Sequence, residues 1–190
     1  NKQYFFLKPD GTRLSGESFD YAGDFQEGFA RVRKNNQYFF LKPDGTRLSE
    51  ESFDGAGDFH EGFALVEKNG KCFFLKPDGT RLFEETFNNA WDFQEGFACV
   101  RKNNQCFFLK PDGTRLSEES FDYAGDFQEG FACVRKNNQC FFLKPDGTRL
   151  SEESYDLAGD FQEGFALVEK NDQEFKINTK GERVNNLTNN

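Results

Sequence analysis

The side chains of this chain that could do chemistry are carboxylates, thiols, aromatic rings and one imidazole. Carboxylates dominate. Glu50, Glu51, Asp54, Asp58 and Glu61 crowd into one short stretch, and hard cations such as Ca²⁺ take oxygen donors of this kind. The spacing follows no calcium-loop pattern, however, and Gly16 holds the position of Glu50 in an earlier, similar stretch. The stretch reads as a solvated or helix-capping acidic face; no cofactor is expected, with Ca²⁺ as the alternative. Asp24, Asp58, Asp92, Asp126 and Asp160 recur at one position and read as turn residues whose carboxylates bond their own backbone. His60 is the single histidine, and it stands where Gln26, Gln94, Gln128 and Gln162 stand elsewhere. A general base does not tolerate that exchange. Neither a Ser/His/Asp nor a Cys/His pairing can be repeated along the chain, and no Gly-rich phosphate loop of the required spacing occurs. No catalytic residue is expected.

The five cysteines fall on two recurring positions. Cys72, Cys106 and Cys140 share theirs with Tyr4 and Tyr38; Cys99 and Cys133 share theirs with Arg31, Leu65 and Leu167. A position that accepts Tyr, Arg or Leu does not need a thiol, so packed or partly exposed free thiols are expected rather than a disulfide framework or a metal site. Binding is the remaining chemistry. Trp91, Tyr21, Tyr123 and Leu157 are the candidate contact residues, with Gly16 and Gly55 as further variable positions. Exposed aromatics of this kind suit a protein surface or a glycan.

What positions these groups is a repeat. Lys-Pro-Asp-Gly-Thr begins at Lys8, Lys42, Lys76, Lys110 and Lys144, and Glu-Gly-Phe-Ala begins at Glu27, Glu61, Glu95, Glu129 and Glu163, each 34 residues after the last. A fixed period of this size marks a repeat architecture. Helical repeats share the period, but Pro-Asp-Gly in every copy and the absence of a 3.6-residue apolar stripe exclude them. Phenylalanine, at 26 residues, favours strands. In one copy, 29–34 reads as a strand, Asn35-Asn36 as a two-residue turn, 37–42 as the returning strand, and Pro43-Asp44-Gly45 as a tight turn. Thr46-Arg47-Leu48 then begins a third strand, and 49–61 is a polar connection. Pairing across Asn35-Asn36 sets Val32 opposite Phe39 and Ala30 opposite Leu41, all on one core face. Phe29, Arg31, Arg33, Tyr38 and Phe40 form a second face, which the next copy is expected to cover.

The expected fold is all-β: tandem 34-residue β-meander repeats in an open, solenoid-like array, with a closed propeller-like ring as the alternative. Residues 1–170 hold five repeats. Residues 171–184 form a degenerate capping half-repeat, in which Glu174 and Lys176 replace the Tyr/Cys and Phe of the second face. Residues 185–190 form a polar tail. The chain contains no methionine, so Asn1 is not expected to be a native start.

The run Phe59-His60-Glu61-Gly62-Phe63-Ala64-Leu65-Val66-Glu67-Lys68-Asn69-Gly70-Lys71-Cys72-Phe73-Phe74-Leu75 resembles the bacterial WG-containing (KWG) repeat family. Tyr-Phe or Cys-Phe replaces the name-giving Trp-Gly, and the resemblance extends over essentially the whole chain. It implies an all-β array in a bacterial protein, at the cell surface, secreted or cytoplasmic, with no defined catalytic site. The net charge of −9 argues against a nucleic-acid partner, which needs a basic footprint, and no apolar stretch is long enough to span a membrane. The expected function is a non-enzymatic interaction module that binds a protein partner through an extended surface. Self-association as a filament or surface layer, and glycan binding, are the alternatives.

Overall fold

A computed structural model describes residues 2–184. Asn1 and the polar tail expected at residues 185–190 lie outside the described residues. The chain divides into two compact units, Asn1–Phe93 and Gln94–Asn190. In the first, β1 (Tyr21–Gln26), β2 (Phe29–Lys34) and β3 (Gln37–Leu41) form one antiparallel sheet, and β4 (Gly55–His60), β5 (Phe63–Lys68) and β6 (Lys71–Leu75) form the next, followed by the short β7 (Asn89–Ala90). In the second, β8 (Ala98–Lys102) pairs with β9 (Gln105–Leu109). There β10 (Tyr123–Gln128), β11 (Phe131–Lys136) and β12 (Gln139–Leu143) form a sheet, as do β13 (Leu157–Ala158), β14 (Phe165–Lys170), β15 (Gln173–Asn178) and β16 (Arg183–Val184). Among the described residues every regular element is a strand.

The expected register holds. Val32 pairs with Phe39 and Ala30 with Leu41, and the hairpin turn at Asn35-Asn36 has positive φ at both residues, 53° and 61°. The core face is sealed: Ala30, Val32, Phe39 and Leu41 are buried. The second face is covered by the following copy. Phe40 packs edge-on against Phe59, with ring centroids 5.1 Å apart, and Phe29 packs on the same ring at 4.3 Å. Phe142, Phe131 and Phe161 repeat this arrangement in the second unit. Such aromatic pairs are worth about 0.5–1.5 kcal/mol beyond area burial.

Three expectations are corrected. The stretch 49–61 is not merely a connection: its second half is β4, which pairs with β5 through a bulge between Ala56 and Phe59. A Glu-Gly turn joins the two strands, with φ of 47° at Glu61 and 84° at Gly62. The sheet's third strand therefore precedes the Asn turn. Thr46-Arg47-Leu48 instead makes only an isolated bridge, Leu41 to Arg47, which lays the Arg47 guanidinium over the Phe39 ring at 3.7 Å. Finally, Asp24 and its counterparts are not turn residues. Asp58 sits in the β4 bulge and pairs with Arg31, Nε to Oδ1, at 3.1 Å. The turn carboxylates belong to other positions. Asp20 Oδ2 accepts the Asn35 amide at 2.9 Å and Asp54 Oδ2 the Asn69 amide at 2.7 Å, clamping each Asn turn.

Asp10, Asp44, Asp78, Asp112 and Asp146 each accept the amide and hydroxyl of the threonine two residues on. The hydroxyl bond, and after it the amide bond, hold each carboxyl below its ordinary value of 3.8. A carboxyl whose folded pKa is depressed stabilises the fold above its unfolded pKa, and that contribution disappears as pH falls through the folded value. Five parallel turns therefore predict a melting temperature that holds from neutral pH to about 5 and drops below about pH 4. Thermal melts across a pH series check this; an unchanged melting temperature at pH 3 refutes it.

Candidate functional site

The frame of each copy repeats, and the position that opens its first strand does not. Tyr21, Gly55, Asn89, Tyr123 and Leu157 occupy it. Bulge and register place this position opposite the far end of the second strand, as Tyr21 opposite Arg33, Gly55 opposite Glu67, Tyr123 opposite Arg135 and Leu157 opposite Glu169. Tyr123 is 52% exposed and Leu157 57%, and Trp91, two residues past Asn89, is 42% exposed. Tyr21 is half-buried because Arg31 reaches it, Nη2 to Oη 3.2 Å. Arg31 also holds Asp58 of the next copy, so in the first copy the Tyr and Arg positions fill each other's space.

The second copy leaves that space open. Gly55 replaces the tyrosine and Leu65 the arginine. The result is a cleft of about 310 Å³ whose lining includes Gly55, Gly57, Leu65, Glu67, Cys72 and Asn89. Glycine backbone, the aliphatic side chains of Leu65 and Val66 and the Glu67 carboxylate suit it to a small apolar side chain with a polar neighbour. Burial, and secondarily the Glu67 charge, push the Cys72 thiol up, which leaves it a weak nucleophile at neutral pH. The cysteines are free thiols. Burial pushes Cys133 up to about 12, whereas a hydrogen bond with Cys99 lowers Cys106.

The acidic residues do not converge. Among the described residues no group of three His, Cys, Asp or Glu side chains is placed to hold a metal ion. Glu51 instead receives Lys68 at 2.9 Å and Arg81 at 3.2 Å. Asp92 is raised by partial desolvation, with the Asp58 charge adding to it and His60 opposing; His60 itself is exposed. Among the described residues no helix is long and apolar enough to cross a membrane.

The glutamate of each Glu-Gly turn is the functional residue that sequence reasoning missed. Glu27 Oε2 accepts the Gly62 amide at 2.8 Å, and Glu95 accepts the amides of Glu129 and Gly130 at 2.8 and 2.7 Å. Glu129 does the same for Glu163 and Gly164, at 2.6 and 2.7 Å. The turns at Glu61-Gly62, Glu129-Gly130 and Glu163-Gly164 are thus capped by the carboxylate of the copy before. That role explains a glutamate at positive φ, a backbone state costing about 1–2 kcal/mol for an L-residue. The only signal in the sequence was the invariance of Glu across the copies.

Comparison with solved structures returns propeller-like folds at low identity. A eukaryotic initiation factor matches with a TM-score of 0.51 at 13% identity, over 87% of this chain and 54% of that one. Hsv2 of Kluyveromyces lactis matches at 0.47 and 10% identity, over 84% and 60%. A Bacteroides caccae protein of unknown function matches at 0.36 and 12% identity, over 96% and 88%. The initiation factor supports the all-β repeat fold, which fits an open array and a propeller-like ring alike. The chain spans between about half and two thirds of the initiation factor and of Hsv2. Comparison with curated proteins finds no match. The WG containing repeat model matches five times, at residues 18–38, 52–72, 86–106, 120–140 and 154–173, each match running from the start of a copy into its third strand. These matches cover more than half of the sequence, and the chain belongs to the WG-containing repeat family.

Proposed function

We propose that this chain is a non-enzymatic interaction module that binds a protein partner through the surface carrying the first-strand openings. One observation carries the reading. Within a frame whose core, turns and caps repeat, side-chain identity varies at the exposed first-strand position, which presents Tyr21, Gly55, Tyr123 and Leu157, with Trp91 beside it. Repeat arrays bind through variable surface positions on a constant scaffold, and exposed aromatics are favoured anchors. The cleft at Gly55 and Leu65 would take one partner side chain.

The test is a variant with Trp91, Tyr123 and Leu157 all changed to serine. None of the three is buried, so its melting temperature is expected to stay within a few degrees of the parent. A partner captured by the parent chain, once identified and titrated, is expected to bind the triple variant at least about tenfold more weakly. Equal affinity for parent and variant would move the binding surface elsewhere.

A further inference from the structure

The joint between the first and second copies is filled by two tyrosines and two arginines of the first. Arg31 lies over the rings of Tyr21 and Tyr38, at 5.3 and 5.9 Å, and Arg33 lies over Tyr38 at 5.7 Å. The Arg31 guanidinium then crosses the joint. It donates to the Ala56 carbonyl at 2.5 Å and faces the Asp58 carboxylate, with Nε 3.1 Å from Oδ1 and Nη2 3.4 Å from Oδ2. The repeat therefore already holds one guanidinium between aromatic rings of one copy and a carbonyl and carboxylate of the next.

The joint between the second and third copies keeps the acceptors and loses what fills them. Ala90 and Asp92 stand where Ala56 and Asp58 stand, while Gly55, Leu65, Glu67 and Cys72 replace Tyr21, Arg31, Arg33 and Tyr38. Leu65 has no donor to send across. Among the described residues no hydrogen bond or salt bridge forms to Asp92, whose charged neighbours are His60, Asp58 and Arg31. The filling has also changed sign, since two guanidiniums give way to a leucine and a carboxylate. What remains is the cleft of about 310 Å³, and no cation stands in its lining. A Cβ on Gly55 would lie 3.7 Å from Glu67 Oε2, and one on Gly57 would lie 3.5 Å from Asp92 Oδ1. Each of these two glycines thus has a carboxylate oxygen close by. In the last copy Leu167 and Glu169 repeat the change, but Leu157, not a glycine, opens that copy's first strand.

We propose that this cleft binds one arginine side chain of the protein partner, its methylene stem against Leu65 and its guanidinium on Glu67, Asp92 and the Ala90 carbonyl. The site is one pocket of the first-strand surface and rests on the reading of that surface given above. A single arginine supplies both the apolar part and the polar neighbour that the lining suits, because its stem buries while its head stays polar. The acceptors favour arginine over lysine: a planar guanidinium meets several oxygens at once with five fixed donors, whereas an ammonium is a compact point charge. Bonds from a guanidinium to a carboxylate are charge-assisted and correspondingly strong. The entering side chain takes the place that Arg31 fills from within the chain one copy earlier.

The probe is the capped tripeptide acetyl-Gly-Arg-Gly-amide, titrated into the whole chain labelled with nitrogen-15. Saturable shifts of the Gly55 and Gly57 amides are expected, with a Kd of about 1 mM. The same peptide with citrulline, which keeps the shape and drops the charge, is expected to bind at least about tenfold more weakly. Leu65→Arg in the chain puts back the guanidinium of the first copy and is expected to abolish binding without lowering the melting temperature. Should that variant fail to fold, Glu67→Gln at an exposed position decides, and must weaken the arginine peptide about threefold or more. No saturation by about 10 mM, equal binding of the citrulline peptide, or undiminished binding by folded Leu65→Arg overturns the proposal. The triple serine variant leaves every residue of the cleft lining in place and is expected to bind the tripeptide as the parent does. A protein partner lost in that variant, with no tripeptide bound by the parent, would keep the surface and discard the arginine.

Discussion

Gly147→Ala is expected to cost the second unit far more than Gly164→Ala. Both glycines have φ of 81°, so both substitutions force an L-residue into the left-handed region, at about 1–2 kcal/mol. Their surroundings differ. A Cβ on Gly164 meets nothing within 4 Å, whereas a Cβ on Gly147 lies 2.9 Å from the backbone oxygen of Leu116 in the preceding copy. Backbone cannot rotate away as a side chain can, so the Pro-Asp-Gly turn must lift off its neighbour. Overpacking of that kind costs about 1–3 kcal/mol more. The same contact recurs where Gly79 faces the Leu48 carbonyl at 2.9 Å. The turn is therefore a joint between copies as well as a bend within one. Thermal melts of the two alanine variants check this: Gly147→Ala is expected to melt several degrees below Gly164→Ala, by about 2–4 °C for each kcal/mol. Equal melting temperatures would make the turn a bend only.

The core was legible because it obeys a two-residue alternation interrupted by turns of known chemistry. Asn35-Asn36 fixed the register, and with it the burial of Ala30, Val32, Phe39 and Leu41. The first strand was not legible. Tyr-Ala-Gly-Asp-Phe-Gln holds two poor strand formers, and a bulge between Ala22 and Phe25 breaks its alternation. The turn behind it was hidden as well, since Glu27 carries positive φ and nothing in glutamate's own preferences predicts that. Its reason is the amide of Gly62, 35 residues away. Asp58 was misread for a related cause, because its partner Arg31 belongs to the copy before. Position-by-position variation did point to Tyr21, Trp91, Tyr123 and Leu157 as the residues that differ. The cleft beside Gly55 could not be foreseen, as it needs Leu65 from the second strand and Asn89 from the following copy to border one space. Local chemistry is written in the sequence of one copy, whereas contacts between copies need the stacking geometry.

Ending the chain at Asn171 is expected to turn it into an aggregating species. Strand β15 pairs with β14 at six positions, from Phe165 with Asn178 to Lys170 with Gln173. Its Ile177 is 1% exposed and packs with Phe161, Ala166 and Val168, and its Phe175 ring lies 6.2 Å from that of Tyr155. Losing a buried Ile alone costs about 2–5 kcal/mol, against a total of about 5–15 kcal/mol for a typical domain. The truncated chain would also bare the β14 edge beside Phe165 and Leu167, already 40% and 50% exposed, and a bared apolar edge recruits other strands. Light scattering after size exclusion checks the result; a truncated chain that stays monomeric refutes it. Covering the core is one contribution of this segment, and charge is the second. Glu174 and Lys176 are exposed where Cys140 and Phe142 are buried in the preceding copy, and inserted charge keeps an outer face from being stacked upon. Restoring the repeat pattern with Glu174→Tyr and Lys176→Phe in the whole chain separates the two contributions. The β14–β15 pairing and Ile177 remain, so folding is expected to persist, while association is expected to rise with concentration. A double variant as monomeric as the parent would leave the charges without that role and assign the protection to strand pairing alone.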